Sequence, residues 1–414
     1  MNKDVMGVQE VSPGYEFVAE NPAVPVGYKQ TDVGVIPEDW GVFQVGEVSS
    51  KVGSGVTPTG GSRVYTSSGR PFVRSQNVGW GCLELNDIAY IDESIHATFS
   101  GTEVHDSDVL LNITGASIGR AAVADKRVVG GNVNQHVCII RAKQDVLEPR
   151  FLGAFLISSY GQKQIDSFQA GGNRQGLNFK QVSSINLPAP ENVEEQRAIA
   201  TALSDVDALL EELDRLIAKK RDIKQAAMQQ LLTGEIRLPG FEGEWEARRI
   251  GDVLEVRHGR SQKEVETKDG EYPIYASGGE IGRANTYLYS KPSVLIGRKG
   301  TIDAPRYCDQ PFWTVDTLFY TELLDRNSAK FMYYKFCMIP WRNYNEASGV
   351  PSLSARTIEN IEIVLPTHEE QEAIAAVLSD MDTEIQALEQ RRSKTAELKQ
   401  GMMQELLTGR MRLV

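Results

Sequence analysis

The sequence predicts an α+β protein with two mixed domains and two long helices, produced by an internal repeat. Three observations carry this expectation. A helical segment occurs twice, its copies starting at Glu194 and Glu369; each copy follows a long segment where strand-like runs alternate with glycine-containing loops; and the composition is that of a globular chain. The 414 residues, 41% hydrophobic and 24% charged, suit two or three domains of ~100–200 residues each. No run approaches the ~20 apolar residues of a membrane helix. The N-terminal MNKDVMGVQEVSPGYEF lacks the basic and apolar regions of a signal peptide, so the expected location is cytoplasmic, with no membrane partner.

Taken in order, residues 1–39 form an arm with 2 basic and 7 acidic side chains. Residues 40–188 form the first mixed segment. In it DVLLNI from Asp108 reads as a strand leading into Gly115–Gly119, followed by the strand HVCIIRA, a helix opening near Pro149, the loop AGGNRQG at 170–176 and a strand toward Leu187. Residues 189–239 are helical. Ile199, Leu203, Val206, Leu210, Leu213 and Ile217 alternate spacings of four and three, which is a coiled-coil seam. The second mixed segment, 240–366, repeats the plan: SVLIG from Ser293 leads into Gly300, then come FWTVDTLFYTEL, a helix opening at Asn327 or Ser328, the loop ASGVPS and a strand toward Leu365. Residues 367–414 repeat the helix, with Ile374, Leu378, Met381, Ile385 and Leu388 on its seam.

The match between copies runs through EEQRAIATALSDVDALLEEL and EEQEAIAAVLSDMDTEIQAL and ends in LLTGEIRL and LLTGRMRL. Pro190 and Pro366 precede the helices, acidic residues fill their first turns, and Gly234 and Gly409 supply their stops. Each helix then spans ~40 residues, about 60 Å. The seam breaks at Lys220 and Arg392. Trp40 followed by VGEV at 45–48 corresponds to Trp245 followed by IGDV at 250–253, so the mixed segments also open alike.

Catalytic constellations are scarce. Five histidines lack HExxH or paired spacing, and the four cysteines form no CxxC and read as small core residues. Gly53 and Gly55 in VGSGV lack the spacing of a phosphate loop. Asp252, Glu266 and Lys268 fit the spacing of a metal-dependent nuclease only superficially. The net charge of −12 argues against nucleic acid only if it is spread evenly, and it is not: 40–188 carries 13 basic and 12 acidic residues, and 245–366 carries 16 of each. Side chains suited to base edges and phosphates cluster in the glycine-containing loops. In the first segment they are Arg74, Gln76, Asn77, Asn134, Gln135, Asn173, Arg174 and Gln175. In the second they are Arg257, Arg260, Gln262, Lys263, Arg298, Lys299, Arg342, Asn343 and Asn345.

YKQTDVGVIPEDW at 28–40, Thr57-Pro58, NITGASIGRAA from Asn112, NLPAP with EEQRAIATALSDVD at 186–207, and their second-half answers VLIGRKGTI and VLPTHEEQEAIAAVLSDMD resemble the specificity subunit of type I restriction-modification systems. The resemblance covers nearly the whole chain from about residue 28. It implies two target-recognition domains, 40–188 and 240–366, each reading half of a bipartite site in double-stranded DNA, separated by two long antiparallel helices in a pseudo-twofold arrangement. It implies a non-catalytic chain that binds no cofactor itself. S-adenosylmethionine would belong to two partner methyltransferase subunits, and ATP and Mg to partner restriction and translocase subunits. Residues 1–27 have no counterpart pattern, although VPVGYKQT is placed to tie the arm to the distal helix. Two identical partners need two equivalent patches, and the twice-retained Glu195, Gln196, Asp205 and Asp207, with Glu370, Gln371, Asp380 and Asp382, are the candidates. The alternatives are a specificity-like adaptor of another defence assembly and a metal-dependent DNA nuclease.

Overall fold

A computed structural model of the chain describes residues 24–169 and 176–413. Two compact units emerge, one built from residues up to Leu209 together with those from Thr395 onward, the other from Leu210–Lys394. The helical stretches do not stand as units of their own. Each unit combines one mixed segment with a piece of each long helix.

In the first unit a four-stranded sheet has the order 49–54, 137–142, 109–112, 121–123, all neighbours antiparallel. The apolar runs that predicted its strands are buried on both faces, with the period of two that a strand imposes. Val109, Leu111, Cys138 and Ile140 enter one core together with Phe151 and Phe155 of the helix Pro149–Ile157, while Leu110, Val137 and Ile139 enter a second core on the other face. A three-stranded sheet of 89–91, 70–73 and 132–133 adjoins it in the chain. The antiparallel pair 40–44 and 186–190 brings the start and end of the segment together at the base of the first long helix.

The second unit repeats this plan. Its main sheet has the order 254–258, 318–323, 293–297, 306–308, again antiparallel throughout. Val294, Ile296 and Phe319 face the core that holds Phe331 of the helix Ala329–Met338, while Leu295, Leu318 and Tyr320 face the opposite core. Strands 246–249 and 362–365 close the base. Of the two expected openings, Asn327 or Ser328, it is Ser328 that caps the helix, its hydroxyl accepting from the Phe331 N–H, an N-cap. FWTVDTLFYTEL is not continuous. It divides into 313–314 and 318–323, which belong to different sheets.

Glycines are required where backbones meet. A methyl group on Gly55 would lie 1.6 Å from the Val133 carbonyl oxygen, and one on Gly259 would lie 2.0 Å from that of Val315. Each follows the first strand of its main sheet, so Gly55 of VGSGV serves packing, whereas a methyl group on Gly53 would meet nothing within 4 Å. The cysteines divide against expectation: Cys138 and Cys308 are buried, but Cys82 and Cys337 are exposed, because their positions fall outside the strand interiors. Burial pushes the Cys138 thiol up to about 12.

The two long helices span Val193–Thr233 and His368–Leu406. Gly234 and Gly409 follow them at φ +76° and +69°, the left-handed stop that glycine tolerates. Within the first unit Asp207 pairs with Lys399 and Glu195 with Arg412; within the second, Asp214 pairs with Arg392, Lys220 with Glu384 and Lys224 with Asp382. In each unit one partner's number rises as the other's falls, so the helices are antiparallel. Lys220 and Arg392, where the apolar seam lapses, are the residues that make ion pairs across it.

The ends of the helices are held by a clasp present twice. Arg412 donates two hydrogen bonds, of 2.5 and 2.7 Å, to the carboxylate of Glu195, and Arg237 donates two, of 2.5 and 2.6 Å, to that of Glu370. Glu195 is 4% exposed and Glu370 1%. Arg412 also grips Asp39 with two bonds, holding that carboxyl below the usual carboxylate range. Each guanidinium lies over a tryptophan, Trp40 or Trp245. The Tyr28 hydroxyl donates to the Gly409 carbonyl at 3.1 Å, so the VPVGYKQT segment does meet the end of the distal helix. Arg412→Ala strands the buried Glu195 carboxylate and should cost the first unit about 3 kcal/mol. Hydrogen exchange should show lowered protection at residues 193–200, with the second unit unchanged.

Lys335 is buried, and its ammonium donates to the Leu232 carbonyl at 2.6 Å near the end of the first long helix. Desolvation pushes its pKa down to about 8 from 10.5. Between these values the unfolded chain holds a proton that the folded chain has released, so stability rises with pH across this window. Lys335→Met should abolish that rise in chemical denaturation followed from pH 8 to 10.5.

Candidate nucleic-acid interface

The strand directions gather loops at one edge of each main sheet. Strands 49–54 and 109–112 end, and 137–142 begins, at the same edge of the first unit, so the loops after residues 54 and 112 and before residue 137 share it. The same relation joins the loops after 258 and 297 and before 318 in the second unit. A further loop reaches each edge through equivalent backbone bonds. Leu177 N donates to Ile113 O and Thr114 bridges Gly176; Leu353 N donates to Arg298 O and Lys299 bridges Ser352. Gly176 and Leu177, at the close of AGGNRQG, therefore meet the edge as Ser352 and Leu353, at the close of ASGVPS, do.

Asn173, Arg174 and Gln175 lie outside the described residues. The other first-unit candidates separate by burial. Asn77 is 1% exposed, with its amide donating to the Glu84 and Asp87 carbonyls and its Oδ1 accepting from Arg74 N. Asn134 is buried and turns the chain by accepting from His136 N. Arg74 is held by Asp87 and lies over the Tyr65 ring. These three are structural, because in a tight turn a polar side chain answers the backbone before it answers a ligand. Gln76 is exposed but bonded to Asp87 at 2.6 Å. Gln135 is exposed and belongs to a chain of contacts with Thr57 and His136, which in turn meets Thr114 at 2.5 Å. Thr57, Thr114 and His136 are edge residues absent from the candidate set, although TP and NITG lay within the motifs that carried the family resemblance.

In the second unit Arg257 pairs with Glu255 and Glu322, Arg342 with Asp303 at 2.6 Å, and Arg298 donates to the Asp316 carbonyl. Asn345 shapes its own loop by accepting from Ala347 N and Ser352 N. Gln262 is half-buried. Arg260, Lys263, Lys299 and Asn343 are exposed, with no side-chain ion pair among the described residues. Arg260 is also positioned by its backbone, which donates to Thr314 O and accepts from Trp313 Nε1. This edge presents unpaired cations although the segment as a whole is neutral. Asp252, from the nuclease alternative, instead accepts from Arg249 N as a turn cap. Among the described residues no group of three His, Cys, Asp or Glu could hold a metal, and no helix is long and apolar enough to cross a membrane.

The helical candidates for partner docking also divide. Glu195 and Glu370 are the buried acceptors of the clasps. Gln196 accepts from Glu148 N and donates to the Val146 and Pro190 carbonyls; Gln371 accepts from Ser328 N and donates to Pro366 O and Asn327 Oδ1. The glutamates tie the helix to the end of its antiparallel neighbour and the glutamines tie it to its own mixed segment, so the four offer no exposed patch. Asp207 and Asp382 are half-buried in ion pairs with Lys399 and Lys224. Asp205 and Asp380 alone of the eight are exposed.

A family model described as the type I restriction modification DNA specificity domain matches residues 37–220 and 242–399. The chain belongs to this family. It is 24% identical to the "Putative type I restriction enzyme MjaX specificity subunit" of Methanocaldococcus jannaschii, over 93% of this chain and 97% of that protein. It is 24% identical to the MjaIX specificity subunit of the same organism over 60% and 59% of the two chains. Its fold is similar to the crystal structure of the S subunit of a type I restriction-modification system from M. genitalium, with a TM-score of 0.62 at 16% identity, covering 89% of this chain and 96% of that one.

The sorting by burial predicts different outcomes for similar-looking residues. Arg260→Ala and Lys299→Ala should leave the melting temperature unchanged and weaken DNA binding, by ~1–3 kcal/mol on cognate sequence alone if a base edge is lost, or uniformly on all sequences if a phosphate contact is lost. Asn77→Ala should lower the melting temperature instead, read by calorimetry beside a binding titration.

Proposed function

We propose that this chain is the DNA-reading subunit of a type I restriction-modification complex, each sheet edge reading one half of a bipartite duplex site. One observation carries the reading: two loop edges of equivalent topology and divergent side chains stand on bases of the same pairing and on helices whose first turns, clasps and glycine stops recur. Reading two unlike half-sites requires that division. The chain directs partner methyltransferase and restriction subunits and performs no chemistry itself. S-adenosylmethionine belongs to the methyltransferase partners, ATP and Mg to the restriction partners, and the complex works in the cytoplasm.

Methylation-sensitive sequencing of a host with and without this gene and its methyltransferase partner tests the reading. It should reveal one bipartite motif that depends on the gene; modification that is unchanged by its loss refutes the proposal. Deleting one helical turn within 205–230 should change the number of unspecified base pairs between the half-sites and leave both half-sites intact, since successive pairs stand ~3.4 Å apart. An altered half-site at unchanged spacing would sink the helix-as-spacer assignment.

Two methyltransferase subunits dock on the helical regions, one beside each of the exposed Asp205 and Asp380. Native mass spectrometry of the complex should show two partners on the unmutated chain and one after Asp205→Lys. Two retained after Asp205→Lys with Asp380→Lys would move docking elsewhere.

A further inference from the structure

The two units share a scaffold but differ at one place on it. Their equivalent helices can be superposed residue by residue from contacts already described. Gln196 accepts from Glu148 N at 2.9 Å as Gln371 accepts from Ser328 N at 3.0 Å. Phe151 meets Trp40 edge-on with ring centres 6.4 Å apart, as Phe331 meets Trp245 at 6.4 Å. Counting on from these anchors, Gly153 and Ala154 hold the places of Tyr333 and Tyr334.

In the second unit those tyrosines fill space above the long helices. The Tyr334 hydroxyl donates to Asp382 Oδ2 at 2.7 Å, Lys224 pairs with Oδ1 of the same carboxylate, and the Tyr333 ring lies tilted against that of Tyr334, with centres 5.0 Å apart. The first unit keeps the charged part of this arrangement: Lys399 pairs with Asp207 Oδ1 at 2.5 Å. It lacks the rings. A cavity of about 170 Å³ lies there instead, lined by Ala121, Gly153, Ala154 and Ala200 and by both members of the ion pair. Arg150 and Ser204 also line it, so the cavity is open and mixed in polarity; its volume is that of a benzene-sized ring, for which ~150 Å³ suffices.

We propose that this cavity receives a tyrosine side chain presented by a partner polypeptide, its ring filling the volume that Tyr334 occupies in the second unit and its hydroxyl donating to Asp207. The second unit shows the occupant's chemistry, a phenol on an aspartate whose other oxygen a lysine already holds. A phenylalanine would leave that acceptor unanswered. Ser204 and Asp207 of the lining stand on the same helix as the exposed Asp205 and within one turn of it, so the cavity continues the docking surface proposed above. Identifying the partner as a methyltransferase subunit rests on that reading; the receptor chemistry does not. It follows that the two faces are unequal: in the second unit a tyrosine of the chain already sits on the carboxylate, and the cavity that borders Lys224 and Asp382 there lies beside Cys337 and Met338 instead.

Ligand-observed NMR of the full chain with p-cresol and with toluene as probes tests the receptor. Cresol should bind about 10-fold more tightly than toluene, as expected for a hydrogen bond to a charged acceptor. Asp207→Ala should erase that preference, and Ala154→Tyr should abolish binding of both probes. Failure of cresol to bind, or equal binding to A154Y, overturns the receptor. Should A154Y not fold, the cresol preference lost in D207A decides alone. Native mass spectrometry with the methyltransferase subunit reads the partner: A154Y should weaken one docking event at least 10-fold and spare the other, and unchanged docking overturns the proposal. Removal of residues 1–23 should leave cresol affinity unchanged; a gain would name this chain's own Tyr15 as the occupant and overturn the partner assignment. A methyltransferase that never binds the unmutated chain refutes the assembly reading, while the cresol comparison still judges the receptor.

Discussion

A buried carboxylate in the first turn of one long helix, gripped by an arginine just past the end of the other, is the constraint on which each unit depends. Glu195 and Glu370 are nearly inaccessible, so each needs a cation with good geometry, and a bidentate guanidinium supplies it. Satisfying that need aligns the start of one helix with the end of its antiparallel neighbour. The following contacts inherit this register: the glycine stop, the tryptophan beneath the guanidinium, and the ion pair of Asp207 with Lys399 or of Asp382 with Lys224. Burial of the clasp is what makes it specific, since a surface pair would tolerate slippage for little cost.

From the helix start the order passes into the mixed segment through a glutamine. Gln196 and Gln371 each accept from the backbone N–H that opens the packed helix at Glu148 or Ser328. That helix covers one face of the main sheet, and the sheet fixes the edge where the loops emerge. Every step of this path uses backbone groups or buried side chains. No loop side chain takes part in this path, which is why the residues that close the two loops, Gly176–Leu177 and Ser352–Leu353, make equivalent backbone bonds after unrelated sequences.

Much of this was legible in the sequence because it is periodic or punctuated. The repeat, the seam, the glycine stops and the proline at the opening of helix 149–157 each follow from a local rule, and the structure agrees at each. Purpose was less legible than position. Glu195 and Gln196 read as a retained polar patch for a partner, yet retention there serves the fold, and no spacing rule separates a buried polar residue from an exposed one near a helix start. The answering arginines were visible in LLTGEIRL and LLTGRMRL, but only the fold brings Arg237 and Arg412 to carboxylates more than 130 residues away. Likewise Asn77 and Asn134 have the chemistry for adenine and spend it on turns, because a loop tight enough to display one side chain needs another to close it.

The duplicated halves also show which parts of the scaffold can diverge. Where a residue meets backbone, as Gly55 and Gly259 do, both units keep the glycine. A side chain that answers a buried charge is kept as well. Where helix 149–157 or 329–338 meets the long helices, no buried charge or backbone contact common to both units fixes side-chain volume, and one unit carries tyrosines where the other carries glycine and alanine, the Gly153 position being tight against Val123. The charged pair beneath is nevertheless unchanged. The ion pair holds the two helices in register whether or not a ring lies above it, but the cavity left over it costs stability in proportion to its volume. That cost is offset if the missing ring comes from outside, so the two units are alike in their supports and differ in what stands above the same ion pair.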